Sequence, residues 1–312
     1  MGDVNGDGKS DLPTAEGGRI YTYLTTDPYP DLLIRITNPF QGKNDIAYKP
    51  LTDGSVYAKD TPETAPQYVG SYPNIDVQLP LYVVSSLTVS DNDNNYAYSY
   101  IYGGAKVNRH GRGWLGFRTM EVADSSAGSI QKTFFNQYFP KTGLPHIQET
   151  ERTNGDLMVD IEYKYCDPVN DAAPCPESFP GVKQVLMKRV ETDEREGQAT
   201  TGRLTAKTFT HDTFGNLTLT VHEGIAGAGA LGDEREEETV WAMDVGNWLF
   251  RPHTTILREG TGPGTAIRRQ KWLSYDNLPH GSPPHSGSSD ERRNRCRRRN
   301  GKCQQPCLHI YV

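Results

Sequence analysis

Five residues near the start of the chain have the types and spacing of a metal-binding loop. Asp3, Asn5 and Asp7 put oxygen atoms at alternate positions, which lets the chain curl around a hard cation such as Ca²⁺. A glycine then permits a sharp turn, a backbone carbonyl can add another oxygen, and a last aspartate closes the pattern. The sequence therefore predicts a structural Ca²⁺ site formed by Asp3, Asn5, Asp7, Lys9 and Asp11.

A second interpretation of this stretch stays open, in which it is a solvated turn that holds no metal ion. Only one such loop occurs in the chain, and it runs directly into Leu12 and Pro13. An EF-hand would carry a glutamate at its last ligand position and a helix on either side. The sequence indicates neither of these, so the pattern favours a Ca²⁺ loop outside the EF-hand class.

The other residues that could do chemistry give weaker signals. Cys166 and Cys175 bracket a short loop that a disulfide bond could close, and two free thiols are the alternative. His110 stands between Arg109 and Arg112, and we interpret it as a structural histidine at a strand turn. The sequence has no Gly-x-Ser-x-Gly elbow, no His-Glu-x-x-His motif and no phosphate-binding loop. We therefore predict no catalytic residues and no enzymatic activity.

A tyrosine-rich strand and a glycine-rich corner are the elements around which the chain is organised. Tyrosines at every second position from Tyr96 to Tyr102 indicate a β-strand, because alternate side chains of a strand share one face. Gly103 and Gly104 end this strand, and glycines then alternate with arginines and aromatic residues as far as Arg118. This composition predicts tight bends in which arginines stack on aromatic rings or donate to carbonyl groups.

Short segments with strand periodicity, separated by turn residues, continue along the chain and predict an all-β fold of antiparallel strands. Leu81–Val89 indicates a buried strand that pairs with the tyrosine strand, and Thr133–Phe139 indicates a further strand. His211–Thr218 predicts a short hairpin, in which Gly215 and Asn216 take positive φ angles.

The composition is typical of an extracellular all-β protein and excludes a helical bundle. The chain has 17 tyrosines, 31 glycines and 21 prolines, only 35% hydrophobic residues, and a mean hydropathy of -0.67. No apolar run reaches the roughly 18 residues of a membrane helix, so we expect no direct membrane insertion. No signal peptide follows Met1, and we expect either signal-independent export or a true start upstream.

The chain changes character after Leu278. Residues 1–278 carry 26 basic and 37 acidic side chains, a net charge of -11, whereas residues 279–312 carry seven basic and two acidic ones. The basic run could be interpreted as a nucleic-acid or membrane arm. We favour a disordered tail without a nucleic-acid partner, because no strand periodicity continues, and we hypothesise that the tail is out-of-frame sequence.

Several segments, in their order along the chain, resemble one protein family. They are Tyr48–Asp53, Tyr82–Ser86, Tyr102–Lys106, Gly111–Arg118 and Gln137–Pro145. Over residues 1–275 the chain is similar to the middle region of the B component of bacterial insecticidal toxin complexes (Tc toxins). That region is shared with the plasmid-virulence B proteins and with Rhs proteins. Gly111–Arg118 and Gln137–Pro145 are the specific parts of the resemblance.

Further stretches resemble the repeats of these proteins. Asp3–Leu12 is similar to the calcium loops of FG-GAP/VCBS β-propeller repeats. His211–Thr218 resembles a first YD repeat, with histidine where tyrosine is usual, and Ser274–Leu278 resembles the start of another. The resemblance implies four regions: the end of a propeller with its calcium loop at 1–30, a toxin-B middle-type β region at 31–165, the start of a YD-repeat-like β-shell at 166–278, and the disordered basic tail at 279–312.

The resemblance implies a structural role in a protein secreted by a bacterium. In that family, YD-repeat strands form a hollow β-shell around a cytotoxic polypeptide, and a propeller docks the shell on a pore-forming partner. The chain is then expected to be a shell-wall fragment whose partners are that pore-forming component and the enclosed toxin polypeptide. The alternatives are a β-rich adhesion or carbohydrate-binding module and, less favoured, a glycan hydrolase.

Overall fold

The protein is all-β, and nearly every strand pair is antiparallel, which confirms the predicted fold class. A computed structural model describes residues 2–26, 31–91, 94–166, 185–195, 202–225, 232–262, 264–275, 278–282 and 289–292. Within these ranges the only helical element is a single 3₁₀ turn at Pro66–Tyr68. No helix in the described part of the chain is long and apolar enough to cross a membrane.

The strands are numbered in chain order. The first eleven are β1 (Leu12–Glu16), β2 (Arg19–Tyr23), β3 (Arg35–Thr37), β4 (Lys43–Pro50), β5 (Tyr57–Ala58), β6 (Asn74–Asp76), β7 (Tyr82–Ser90), β8 (Asn95–Gly103), β9 (Lys106–Asn108), β10 (Gly113–Gly116) and β11 (Thr119–Asp124). The others are β12 (Ser129–Phe135), β13 (Pro145–Arg152), β14 (Leu157–Tyr165), β15 (Met187–Glu194), β16 (Arg203–His211), β17 (Leu217–Ile225), β18 (Arg235–Asp244), β19 (Leu249–Glu259), β20 (Ala266–Tyr275) and β21 (Ser289–Arg292).

The chain divides into two compact units. The first comprises Met1–Ile161 with Glu194–Gly202, and the second comprises Glu162–Asp193 with Arg203–Val312. The main sheet of the first unit has the order β13-β12-β11-β8-β7-β4-β3, and β10-β9-β6 and β1-β2 form two small sheets. The second unit has the order β21-β20-β19-β18-β17-β16-β15. The four regions inferred from the sequence, and the three boundaries between them, stay predictions.

The turn between β16 and β17 shows how a hairpin of the second unit is closed. Asp212 Oδ1 accepts the backbone N–H groups of Phe214 at 2.8 Å and Asn216 at 2.9 Å, while Asn216 Nδ2 donates to Asp212 Oδ2 at 2.9 Å. Such side-chain bonds hold a turn without help from other elements. The hairpin and the positive φ of Gly215 (+83°) are confirmed, whereas a positive φ at Asn216 was a wrong prediction. Asn216 is instead held as a donor to Asp212.

The turn between β18 and β19 is closed in the same way, by an aspartate that accepts and an asparagine that donates. Asn247 donates to Asp244 through its backbone N–H at 3.2 Å and through Nδ2 at 2.8 Å. The residue that takes the left-handed conformation here is Trp248, with a φ of +57°. Aspartate at the start of a turn therefore closes two hairpins of this unit.

The buried core of the first unit lies where the tyrosine strand ends. Leu51, Val56, Tyr57, Tyr102 and Ala105 form it. The predicted pairing of the tyrosine strand with the preceding strand is confirmed, since β7 and β8 are antiparallel. Burial increases along β8 from the exposed Tyr96 to the buried Tyr102. The end of β8 is therefore the point at which the sheet is held against the rest of the unit.

The predictions for Thr133–Phe139 and for the tail are each confirmed or contradicted only in part. The strand expected at Thr133–Phe139 is β12, which ends at Phe135, so its last four residues were wrongly assigned. In the predicted tail, Ser289–Arg292 form β21 and pair with β20. Residues 283–288 and 293–312 lie outside the described residues, and the disorder proposed for them stays a prediction.

Candidate functional site

The glycine-rich corner brings distant parts of the first unit together. β8 ends at Gly103, and Gly104 takes a left-handed φ of +61°, which glycine adopts without steric cost. The N–H of Arg118 donates to the carbonyl of Gly103 at 2.9 Å. A methyl group on Gly104 would lie 2.4 Å from Asp60 Oδ2. The missing side chain at Gly104 therefore makes room for the Asp60 carboxylate.

Four charged side chains form a buried ion network beside this corner. Lys106 Nζ lies 2.8 Å from Asp60 Oδ2 and 2.8 Å from Asp76 Oδ1. Arg118 holds the other side of Asp60, with Nη2 2.8 Å from Oδ1 and Nε 3.1 Å from Oδ2. Asp60 is 3% and Lys106 is 6% exposed. Two cations and two carboxylates balance, so this network of Asp60, Asp76, Lys106 and Arg118 has no net charge.

The protonation state of Asp60 follows from these contacts. Burial alone would raise its pKa, but hydrogen bonds from Arg118 and Lys106 outweigh burial and leave the pKa below its ordinary value. Asp60 is therefore ionised at neutral pH and can bind both cations at once. A carboxylate held in this way stabilises the fold above its ordinary pKa, and the contribution is lost as the pH falls.

Tyr57 connects the network to the core. Its hydroxyl donates to the carbonyl of Val77 at 2.6 Å and accepts the N–H of Ala105 at 3.0 Å. Burial raises the pKa of Tyr57 to about 12 against the opposing effect of the Ala105 N–H, and the charges of Asp60 and Asp76 add to the rise. The hydroxyl thus keeps its proton and satisfies two main-chain groups that would otherwise be buried without partners.

Gln137 ties together the two segments that carry the family resemblance. Its Nε2 donates to the carbonyl of Gly104 at 2.7 Å and to that of Gly116 at 2.8 Å. Sequence reasoning missed this role, as it missed Asp60 and Asp76. The network partners Asp60 and Lys106 stand 46 positions apart, and no local pattern in the sequence signals such a pair.

Aromatic rings fill the inside of the corner. Phe117 packs against Tyr102 and Trp114, with ring centroids 4.7 Å and 5.5 Å away. Arginines of the corner stack on aromatic rings as predicted, but the rings belong to other segments and not to the glycine-rich stretch itself. Arg118 lies 4.4 Å above the centroid of Tyr68, and Arg112 lies 3.8 Å above that of Phe139.

His110 lies in the turn between β9 and β10, as the sequence predicted. Its Nε2 is 2.8 Å from the hydroxyl of Tyr72, and the two rings pack edge to face. At the corner, the four charges of the ion network are paired, and the hydroxyl of Tyr57 bridges two main-chain groups. This arrangement can fix backbone segments in place, and it defines a structural site.

The predicted calcium loop is ordered by its own side chains. Asp3 accepts N–H groups from Gly6 at 2.7 Å, from Asp7 at 3.1 Å and from Gly8 at 2.8 Å. Asp7 in turn accepts the N–H of Lys9 at 2.9 Å, a bond that lowers the pKa of the Asp7 carboxyl. The side chains of Asp3, Asn5 and Asp7 thus project from one tight turn.

Asp11 closes the loop through its backbone and its side chain. Its backbone forms a bridge with Gly2, and its fully buried carboxylate accepts the N–H groups of Val4 at 2.8 Å and Thr25 at 3.0 Å. In the described part of the chain, no three His, Cys, Asp or Glu side chains are placed to hold a metal ion together. A cation in this loop would therefore need amide and carbonyl oxygens in addition to aspartates, and the site stays a prediction.

The Asp3–Asp11 loop is anchored on other segments of the first unit. The hydroxyl of Tyr82 donates to the Asp7 carbonyl at 2.6 Å, and the hydroxyl of Thr52 donates to the Gly6 carbonyl. Gly8 packs so closely that an added methyl group would lie 2.7 Å from the Pro80 carbonyl oxygen. The position of the loop is thus coupled to the segments that carry the core.

Cys166, at the end of β14, is buried and forms a disulfide bond. Its Sγ also accepts the N–H of Leu186 at 3.1 Å. The predicted partner, Cys175, lies outside the described residues, so the pairing of Cys166 with Cys175 stays a prediction.

The fold is that of an all-β protein similar to Tc toxin shell structures. The structure of the Photorhabdus luminescens Tc holotoxin pore carrying the TccC3 D651A mutation matches with a TM-score of 0.61 and 12% identity, over 90% of this chain and 18% of that one. The crystal structure of TcdB2-TccC3 matches with a TM-score of 0.58 and 13% identity, over 91% and 19% of the respective chains. The chain thus spans less than a fifth of the length of these structures.

The sequence comparison makes the assignment more specific. Residues 1–148 match the family model described as the insecticide toxin TcdB middle/N-terminal region. This part of the chain is a Tc toxin B-component-like region, and the predicted resemblance is confirmed. A comparison with curated proteins gave no significant match. Both segments named as specific in the sequence, Gly111–Arg118 and Gln137–Pro145, lie within the matched range.

Proposed function

We propose that this chain is a wall segment of a bacterial, secreted toxin complex, in which a β-shell encloses a cytotoxic polypeptide and helps to deliver it. The observation that supports this most directly is the similarity in fold, over nine-tenths of the chain, to the Tc holotoxin pore and to TcdB2-TccC3. The proposed partners are a pore-forming component of the complex and the enclosed polypeptide. The role is structural and needs no catalytic residue.

The physical properties of the sheets suit a wall. Strands that pair with their neighbours along the chain satisfy their main-chain groups without a thick core behind them. Turns closed by their own aspartates, as at Asp212 and Asp244, need no support from packed helices. The buried network at Asp60 then fixes the corner at which the strand direction changes. Such a sheet can separate two compartments while remaining thin.

A chimera tests this proposal. The segment of TcdB2 that aligns with this chain is replaced by the chain, and the chimera is produced together with TccC3. We expect co-purification and protection of TccC3 from added protease, as with unaltered TcdB2. A chimera that contains an unrelated antiparallel β-protein of equal length is the negative control.

Two results would contradict the proposal. One is a folded, soluble chimera that fails to bind TccC3 or leaves it open to protease. The other is specific, saturable binding of a glycan by the isolated chain, which would favour an adhesion or carbohydrate-binding module instead.

We also propose that the loop at Asp3–Asp11 binds one structural Ca²⁺. Asp3, Asn5 and Asp7 would supply side-chain oxygens, and Lys9 would supply its carbonyl. The donor set fits, because Asp3 Oδ2 and Asp7 Oδ1 each accept one N–H group and keep a further lone pair for a cation. The Asp11 oxygens also accept one N–H group each, but the Asp11 side chain is fully buried, so Asp11 would complete the set by positioning the loop.

Calcium should stabilise the protein through this loop. Ca²⁺ at 100 times its dissociation constant is expected to add about 2.7 kcal/mol to the free energy of unfolding. Urea unfolding with Ca²⁺ and with a chelator measures this difference. Asp7→Asn should abolish the calcium effect, and Asp156→Asn, in another exposed turn, should preserve it. Equal calcium effects in both variants, or none in the unaltered protein, would show that the loop is a metal-free turn.

A further inference from the structure

A group of exposed aromatic and basic side chains lies on the outer side of the glycine-rich corner. We call it the aromatic–arginine surface, and it consists of Tyr72, Arg109, His110, Arg112, Tyr138 and Phe139. Its residues come from the segment before β6, from the turn between β9 and β10, and from the segment after β12. Nothing in the proposed shell function assigns a role to it.

Direct contacts join four of these residues in two pairs. The Tyr72 hydroxyl meets His110 Nε2 at 2.8 Å on one side of the β9–β10 turn. On the other side of the same turn, the Arg112 guanidinium lies 3.8 Å above the ring centroid of Phe139. Tyr138 precedes Phe139 in the chain. The turn thus carries two basic side chains that are each in contact with an aromatic ring from a different segment.

The aromatic residues of this surface are exposed, so their presence is not explained by packing in a core. Tyr72 is 71%, Phe139 is 60% and Tyr138 is 51% exposed. An aromatic side chain exposed to this extent contributes little to folding, because it removes little apolar area from water. Clustered exposed tyrosine, phenylalanine and arginine are instead typical of the central residues of protein–protein interfaces.

The charge of the surface indicates what it would bind. Arg109 and Arg112 form no ion pair with any residue in the described part of the chain, although residues 1–278 have a net charge of -11. The stack on Phe139 holds the Arg112 guanidinium in one orientation, which reduces the entropy lost when it binds a carboxylate. The surface is therefore a basic, partly preorganised area on an acidic protein.

A second copy of the chain does not fit this surface. In a two-fold symmetric dimer the same patch meets itself, so the arginines of both copies would be gathered in one interface. Like charges brought together across an interface are unfavourable. The complementary occupant carries carboxylates for the arginines and apolar side chains for the exposed rings.

We propose that the aromatic–arginine surface is a docking site for an acidic segment of a partner polypeptide. Carboxylates of the segment bind Arg109 and Arg112, and an adjacent apolar side chain packs on Phe139 and Tyr138. The proposal concerns this surface only. Its test uses the isolated chain, so a negative result would not contradict the proposed shell function.

The test uses the full 312-residue chain and a fluorescein-labelled peptide of alternating glutamate and leucine as the probe. Fluorescence anisotropy at low salt gives the affinity, and a peptide with lysine in place of glutamate controls for charge. Trp114, which is 41% exposed and packs on Phe117 at the same corner, provides an intrinsic signal on the protein side. We expect saturable binding of the acidic peptide with a change in the tryptophan fluorescence of the chain, and no binding of the basic peptide.

Matched variants locate the binding site. Arg112→Glu and Phe139→Ala should each weaken binding of the acidic peptide about tenfold or more. The controls are Arg19→Glu and Phe40→Ala, at exposed positions of another segment, and these should stay within about twofold of the unaltered protein. Circular dichroism and the melting temperature confirm that all four variants remain folded.

Several outcomes would overturn the proposal. One is the absence of saturable binding, and another is equal weakening by Arg112→Glu and Arg19→Glu. Competition by heparin or single-stranded DNA at least as strong as that by unlabelled acidic peptide would indicate a general polyanion site. Concentration-dependent dimerisation that Phe139→Ala abolishes would assign the surface to a second copy of the chain.

Discussion

Asp60→Ala is expected to lower the free energy of unfolding by about 3 to 5 kcal/mol, the loss typical of breaking a buried ion pair from one side. The variant leaves Arg118 without its carboxylate partner, and Lys106 keeps only Asp76. Both cations are held where water reaches them poorly, so each loses interaction energy that solvent does not replace. Urea unfolding monitored by circular dichroism measures the change.

The same substitution at an exposed ion pair is the control for Asp60→Ala. Asp45 pairs with Arg35, but these side chains are 39% and 56% exposed. Asp45→Ala is therefore expected to cost much less stability than Asp60→Ala, because solvent screens an exposed ion pair. Equal losses in the two variants would contradict a special role for the buried network.

The pH dependence of this effect has a definite direction. The pKa of Asp60 is lowered in the folded state, so its contribution is present above the ordinary aspartate pKa of about 3.9. As the pH falls from the ordinary pKa through the lowered pKa of Asp60 in the folded state, the carboxylate becomes protonated and its contribution is lost. The stability difference between the unaltered protein and Asp60→Ala should therefore shrink in acid and stay constant near neutral pH.

Gly104→Ala is expected to be the second strongly destabilising substitution. The left-handed φ of +61° alone costs a residue other than glycine about 1 to 2 kcal/mol. The new methyl group would also lie 2.4 Å from Asp60 Oδ2 and 2.9 Å from Arg118 Cβ. Relieving this overlap displaces the ion network and should add about 1 to 3 kcal/mol.

Gly113→Ala separates the two contributions. Gly113 has a similar φ of +69°, and an added methyl group there would have no atom within 4 Å. Gly113→Ala should therefore lose only the stability that the left-handed backbone costs. The difference in unfolding free energy between Gly104→Ala and Gly113→Ala should measure the cost of the overlap with Asp60. Because Gly104 and Asp60 are in contact, the double variant Asp60→Ala with Gly104→Ala should lose less stability than the sum of the single losses. Exact additivity would contradict the contact.

The sequence predicted the parts of the fold that depend on local periodicity. The alternating tyrosines of β8, its pairing with β7 and the hairpin at Asp212 were all predictable, because a strand repeats every two residues and a tight turn needs particular residue types. The corner at Gly103 was predicted for the same reason. In the hairpin at Asp212, however, Asn216 does not take the predicted positive φ, and its side chain instead donates to Asp212.

The sequence did not predict the contacts that hold the corner together. Asp60 reaches Lys106 across 46 positions and Arg118 across 58, and pairings over such distances depend on how the chain folds back. Phe139 was assigned to a strand because it follows other aromatic residues, whereas it lies beyond the end of β12 and stacks under Arg112. Periodicity indicates which residues share a face, and it carries no information about which segment covers them.

In the second unit, strand order follows chain order from β15 to β21. A strand pairs with the one made just before it, and hairpins such as those at Asp212 and Asp244 are closed by local bonds. Removing or inserting one whole hairpin would leave the new neighbours antiparallel, with the same faces on the same sides. The length of such a sheet can therefore change in steps of two strands during evolution without redesign of the strands that remain.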